Sequence, residues 1–341
     1  MKETHDFRLL GKMADVYLPG VQTEWLDPNG HARRLELRSE QDIFREVGDV
    51  ESILRARGER LFGSWQVKRT YSKRELALAP LFQLLSSKMF EPCGEDCGTT
   101  YDESASCPIC GFGRALVGPL KLDTNRIPAN ASIAHSIARD ELVVSRVLAD
   151  LIVKNRITGV ELEPVEESRE LSDEGRRNSV PHVNDCSKNL IAGTTVNAFS
   201  DAGANRDKPP RPVRPTHRFD SRTPKSTAPW YRLTVVGPRL EVDRRTRFGI
   251  NPFDADEEGK YRCPLGHVCG LRILSEIFAH RESYSGNDVV ETTVAVGITS
   301  GVLRPYRLLL ISPRFRELLV EEQIRGFGIE VAHFAGADVN S

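Results

Sequence analysis

The chain has 341 residues, of which 39% are hydrophobic and 28% charged, and its formal net charge is -1. That length suffices for two ordinary domains, and the composition is that of a globular protein rather than a fibre or a disordered tail. A charge so close to zero removes the global positive field that would draw the whole molecule to nucleic acid or to an anionic membrane surface.

No apolar run reaches the length that crosses a bilayer. The opening Met1-Lys2-Glu3-Thr4-His5-Asp6 lacks the apolar stretch of a secretory signal. A cytoplasmic, reducing location with no membrane partner is therefore expected, where seven cysteines point to metal before disulfides.

In chain order, residues 39–62 carry the pattern of a helix, with Ser39 as its cap and Ile43, Phe44, Val47, Val50, Ile53 and Leu54 recurring on one face. A second helix begins at Ser72, where Ser72-Lys73-Arg74-Glu75 has the spacing of a capping box. Pro80 interrupts the apolar stretch from Leu76 to Phe90, which predicts a kink or two shorter helices.

Four cysteines follow, in Cys93-Gly94-Glu95-Asp96-Cys97-Gly98 and Cys107-Pro108-Ile109-Cys110-Gly111. Zinc takes four soft ligands at tetrahedral corners. Two cysteines with two or three residues between them reach one ion only across a tight turn, and a glycine after the second supplies the positive φ such a turn needs. Cys93, Cys97, Cys107 and Cys110 are thus expected to form one closed structural zinc site, a zinc-ribbon-like insertion. Paired disulfides, free buried thiols and a redox pair at Cys107 and Cys110 are the alternatives.

Residues 142–165 align with 309–332 at an offset of 167, with Ile157-Thr158-Gly159 over Ile324-Arg325-Gly326. Both copies predict strand, helix, turn, strand, with Ser145 and Ser312 as N-caps and Pro313 in the first helical turn. The fold class expected is α+β with two related halves: an N-terminal half over 1–165 and a C-terminal half over 229–341. Between them, 166–228 reads as a flexible Pro/Arg-rich linker, with Pro209-Pro210-Arg211-Pro212-Val213-Arg214-Pro215 in its latter part. In the second half, Trp230–Val236 and Leu240–Val242 predict a hairpin around Gly237-Pro238, 271–280 a helix, and 289–298 a strand.

A second cluster, Cys263-Pro264-Leu265-Gly266-His267-Val268-Cys269-Gly270, offers three ligands within seven residues. Its fourth ligand is not local; Cys186, His217 and His280 are candidates. Three protein ligands would leave zinc an open position and make Cys263, His267 and Cys269 a metalloenzyme site, whereas buried cysteines beside a hydrogen-bonded histidine would be inert. No Gly-rich phosphate loop, His-Glu-x-x-His or deaminase-type pattern occurs, so catalysis is not the favoured expectation.

Cys107-Pro108-Ile109-Cys110-Gly111 resembles one of the paired motifs of the bacterial double-CXXCG proteins found as paralogues in myxobacteria. The late Cys263 to Gly270 run would be the second motif, and Leu309-Leu310-Ile311-Ser312 with Gly326-Phe327 is similar to their C-terminal segment. The departures are the five residues between Cys263 and Cys269, the additional Cys93 and Cys97, and the greater length. Some of that group are regarded as immunity proteins that neutralise a cognate toxin. The resemblance implies a cytoplasmic, non-catalytic, zinc-stabilised binder with a protein partner. The competing expectations are a nucleic-acid-binding zinc ribbon, for which the Gly98–Ser106 loop lacks Lys and Arg, and the metalloenzyme above.

Overall fold

The computed structural model describes residues 1–27, 31–168, 229–268 and 270–336. The expected linker, apart from its first three residues, lies outside them, as do Cys186, His217 and Cys269. Within them the chain is an α+β structure of three larger sheets, three small ones and a few short helices.

The first larger sheet is antiparallel, in the order Glu24–Trp25, Ala32–Leu37, Lys2–Leu10, Phe62–Thr70. In Lys2–Leu10, alternate residues His5, Phe7 and Leu9 point inward, the period of a half-buried strand. The helix expected over 39–62 runs from Asp42 to Ala56 and presses Val47 and Leu54 into this sheet's core; Ile53 faces solvent. Its N-cap is Gln41, with no side-chain cap, because the Ser39 hydroxyl sits 3.0 Å from the His5 ring instead.

The capping box at Ser72 is formed: the Ser72 hydroxyl accepts from the Glu75 amide at 3.2 Å, and Glu75 accepts from the Ser72 amide at 2.7 Å. The helix stops after Leu78, because a residue before proline is driven out of the helical region. Beyond Pro80 the expectation of further helix fails. Leu81–Ser86 is a strand, central in its sheet, with Leu81, Phe82, Gln83 and Leu84 all buried. A short apolar run of this kind has no period that separates strand from helix. The expected helix over 271–280 is likewise replaced by short strands, Arg272–Ile273 and Ile277–Ala279, the latter held by parallel pairing to Ala332–Phe334. Trp230–Val235 is a strand, but Leu240 and Val242 make single bridges to Thr292 and Ala279 rather than a hairpin with it.

The other two larger sheets share one arrangement over four of their five strands, the fifth being added at opposite edges. One has the order Val160–Pro164, Trp230–Val235, Leu142–Ser145, Ile133–Ser136, Met89–Phe90. The other has Ile277–Ala279, Phe327–Phe334, Leu81–Ser86, Tyr306–Ile311, Val289–Val296. Leu162 pairs with Leu233 where Ile329 pairs with Leu84; Val144 pairs with Tyr231 where Ile311 pairs with Phe82; Ile133 pairs with Val144 where Val289 pairs with Ile311. The strand Trp230–Val235, which follows residue 229, thus lies inside the sheet built by the chain before residue 165. The early strand Leu81–Ser86 lies inside the sheet built by the chain's end. Residues 1–165 and 229–341 therefore do not fold apart.

The helices Arg146–Lys154 and Pro313–Glu321 match in detail. Ser145 accepts from the Leu148 amide and Ser312 from the Phe315 amide, each cap contributing about 1 kcal/mol. Both segments then pass through a non-glycine residue at positive φ, Arg156 or Gln323, before Gly159 and Gly326 at φ +86° and +94°. A Cβ on Gly159 would stand 2.1 Å from the Val289 carbonyl oxygen, and one on Gly326 2.4 Å from that of Ile133, so each glycine lets one segment seat against the other sheet. Leu148, Ile152, Phe315 and Leu319 meet in one core, each full burial of such a side chain contributing about 1.5–3 kcal/mol.

Arg69 joins the first sheet to the last. Its guanidinium donates to Glu3, to Glu330 and to the Leu274 carbonyl, each at 2.8 Å, with 2% of its side chain exposed. Among the described residues no helix is long and apolar enough to cross a membrane.

Candidate metal centre

Two small sheets each carry a cysteine turn at one end. The antiparallel ribbon of Thr100–Asp102 and Ala115–Val117 closes through a loop that holds Cys107 and Cys110. The three-stranded sheet of Asp254–Ala255, Phe248–Asn251 and Arg272–Ile273 sends out the loop that holds Cys263 and His267. The two turns are built alike. The Cys107 amide donates to the Phe112 carbonyl and the Gly111 amide to the Cys107 carbonyl; the Cys263 amide donates to the His267 carbonyl and the Gly266 amide to the Cys263 carbonyl. Gly111 at φ +65° and Gly266 at φ +84° supply the left-handed positions.

These turns face one another. The ligand atoms of Cys107, Cys110, Cys263 and His267 all lie within 4.8 Å of each other. The Cys107 and Cys263 sulfurs are 3.7 Å apart, and the Cys110 sulfur is 3.3 Å from His267 Nδ1. A tetrahedral zinc ion bound at about 2.3 Å to sulfur and about 2.0 Å to nitrogen sets those separations at roughly 3.8 and 3.5 Å. The donor set and its spacing fit a closed Cys3His site.

Electrostatics favour the ligand form at Cys107. The backbone amide of Cys110 points at its sulfur, and with help from the Ile109 amide and the neighbouring sulfurs of Cys110 and Cys263 it draws the thiol down to about 6. Amides aimed at sulfur hold a thiolate, the species a metal binds. Further contacts brace the pair of turns. Thr299 donates its hydroxyl to the Cys110 carbonyl, the Gly270 amide donates to the Gly297 carbonyl at 2.6 Å, and the Phe112 ring packs edge-on to His267 at 5.2 Å.

Of the expected grouping of Cys93, Cys97, Cys107 and Cys110, the structure brings only Cys107 and Cys110 into this cluster. Cys107 and Cys110 take their partners from 156 residues further on, whereas Cys93 and Cys97 are not in the cluster. Both are buried. The Cys93 sulfur donates to an Asp96 carboxylate oxygen at 3.3 Å, and burial, reinforced by the Glu141 carboxylate, pushes its thiol far up. Burial likewise pushes the Cys97 thiol up to about 11. Thiols held protonated are poor ligands. The Cys93–Thr99 turn is held by other means: buried Glu141 accepts from the Gly94 amide at 3.0 Å and from the Tyr101 hydroxyl.

In the second cluster, Cys263 and His267 are brought to the centre, while Cys269 lies outside the described residues. His280 is elsewhere, beside Asp243 and Glu282. The cue in the sequence that sets apart the two turns that meet is their shared opening: Cys107-Pro108 and Cys263-Pro264, against Cys93-Gly94. Proline fixes φ just after the first ligand and so favours the turn. No protein-family model matches the chain, and no curated protein matches it.

Proposed function

We propose that the chain is a non-catalytic, zinc-stabilised binding protein in which one Cys3His zinc ion clamps the Cys107–Cys110 turn to the Cys263–His267 turn. The observation that carries this reading is the convergence of four ligand atoms from two segments far apart in sequence. Four protein ligands fill a tetrahedral ion and leave no position for water or substrate. On this reading the ion keeps no open position, so the alternative of a metalloenzyme at Cys263, His267 and Cys269 is not the favoured one. The role left to the ion is architectural, at a place where loops, not a large apolar core, hold the chain together.

The partner in this reading is a protein, as the resemblance to the double-CXXCG group implies, with neutralisation of a bacterial toxin as the activity. Support comes from the pairing itself: the two motifs that carry the resemblance are the two that share the site. The reading also takes the halves as a diverged duplication, which the equal registers of the two exchanged sheets favour.

Elemental analysis of the purified chain tests the proposal. One zinc per chain is expected in the wild type and in Cys93→Ser, and far less in Cys263→Ser. Full zinc in Cys263→Ser, or a metal-free wild type with undiminished stability, would overturn it.

A further inference from the structure

A cleft of about 2280 Å³ runs between the N-terminal sheet, the two exchanged sheets and the loops that carry the metal centre. Small-molecule sites occupy roughly 300–1000 Å³, so this space suits a segment of a macromolecule. Although the whole chain is nearly neutral, the cleft is not. Eleven Arg or Lys side chains line it against five Asp or Glu. Among the described residues, Arg8, Arg60, Lys88, Arg139 and Arg239 have no carboxylate within ion-pair distance.

In the lining, Arg139 is built into place. It sits at φ +75°, a backbone position that costs a non-glycine residue free energy and persists only where its surroundings enforce it. The buried His135 ring donates from Nδ1 to the Ser136 carbonyl at 2.9 Å, which leaves Nε2 to accept from the Arg139 guanidinium at 3.0 Å. Burial and the adjacent guanidinium hold that imidazole neutral, down to about 4. Arg139 lies 5.9 Å from the Tyr306 ring centroid, and Arg272 lines the same cleft with its guanidinium 5.4 Å from the Trp65 ring. Both are half-buried in that lining, where a carboxylate entering the cleft meets a charged, planar donor at either position.

The geometry points to this cleft as the docking groove for an acidic polypeptide segment, with Arg139 and Arg272 gripping its carboxylates. This rests on the protein-binding reading above and names the chemistry of the partner. A nucleic acid is the less suited occupant. Single strands bind through aromatic faces on which bases stack, whereas Trp65 is 4% exposed and the Tyr306 and Phe112 rings already face Arg139 and Arg307. The five interspersed carboxylates would also repel a continuous phosphate chain, while a peptide can space its charges between them. Planar guanidiniums match carboxylates two bonds at a time.

The test uses the full zinc-containing chain and fluorescence anisotropy with a short labelled oligoglutamate, against an oligolysine of equal length and an oligothymidylate. Expected is saturable binding of oligoglutamate, weakened by salt and by at least about tenfold in Arg139→Gln with Arg272→Gln. Arg146→Gln, an exposed helical change beside Asp150 and outside the cleft, should leave it unaltered. Should that double variant not fold, Arg8→Gln with Arg60→Gln, both exposed in the same lining, must weaken binding instead. No binding of oligoglutamate, binding untouched by the cleft variants, or tighter binding of oligothymidylate would overturn the proposal. Zinc content, measured on the same samples, keeps a failure here distinct from a failure of the metal-site reading.

Discussion

If the metal centre joins Cys107 and Cys110 to Cys263 and His267, zinc must stabilise the whole fold and not just one loop. The 156-residue separation of Cys107 and Cys263 is the reason. A site confined to residues 93–110 would assemble in the unfolded chain almost as well as in the folded one, and ligand bound to both states shifts nothing. A site whose halves meet only through the folded sheets binds the native state alone. At free zinc one hundredfold above Kd the gain is about 2.7 kcal/mol, which for a chain of this size is a rise in Tm of the order of 5 °C. Viewed as a cross-link, closure of so long a loop removes roughly 5 kcal/mol of unfolded-chain entropy, so the first figure is conservative. Differential scanning fluorimetry at buffered zinc activities, with a chelator arm, measures the shift. Wild type and Cys93→Ser should rise together with zinc, while Cys263→Ser and Cys110→Ser should stay flat. A zinc-dependent Tm in Cys263→Ser, or loss of the dependence in Cys93→Ser, would refute the reasoning.

Acid should weaken the fold through His135. Its folded value of about 4 lies below the usual 6.5, so the unfolded chain binds the extra proton between these pH values and stability drains away as pH falls. The loss is about 2 kcal/mol by pH 5 relative to neutrality, and urea midpoints of His135→Asn should lack that component. Gly159→Ala and Gly326→Ala should each cost upwards of about 2 kcal/mol, since a left-handed alanine costs about 1–2 and each Cβ also meets a carbonyl oxygen. Gly58→Ala, at φ +77° with open space around it, should cost only the first part, and equal urea midpoints for all three would dispose of the close-approach argument. Arg69→Met should destabilise by about 3–5 kcal/mol, because Glu330 is then buried without its partner. Burial already holds the Glu330 carboxyl above its usual range, so this loss should shrink as pH falls and Glu330 protonates; a pH-independent loss in chemical denaturation would speak against it.

Several features could be read directly from the residues because local chemistry decides them. The box at Ser72, the caps at Ser145 and Ser312 and the left-handed turns at Gly159 and Gly326 each depend on a few adjacent groups. Leu81–Ser86 and Ile277–Ala279 could not be read this way. Their apolar runs have no diagnostic period, and the neighbours that fix them as strands arrive from up to two hundred and fifty residues away. The metal site divided along the same line. Spacing singled out Cys107 and Cys110, but proximity in sequence then favoured Cys93 and Cys97 as partners. Only the meeting of two loop tips brings Cys263 and His267 within reach, while Cys93 is occupied with Asp96.

The traded strands govern when this protein can first exist as a folded object. While the ribosome is still short of residue 230, the sheet around Leu142–Ser145 has an open slot between it and Val160–Pro164. Leu81–Ser86, long since synthesised, waits for both its neighbours until Phe334 has emerged. Throughout that interval the nascent chain displays unpaired strand edges, the surfaces most prone to pair with a stranger. A prematurely ended chain would thus be a sticky fragment rather than a smaller working protein, and its producer would depend on chaperones that hold such edges until the last strand is made.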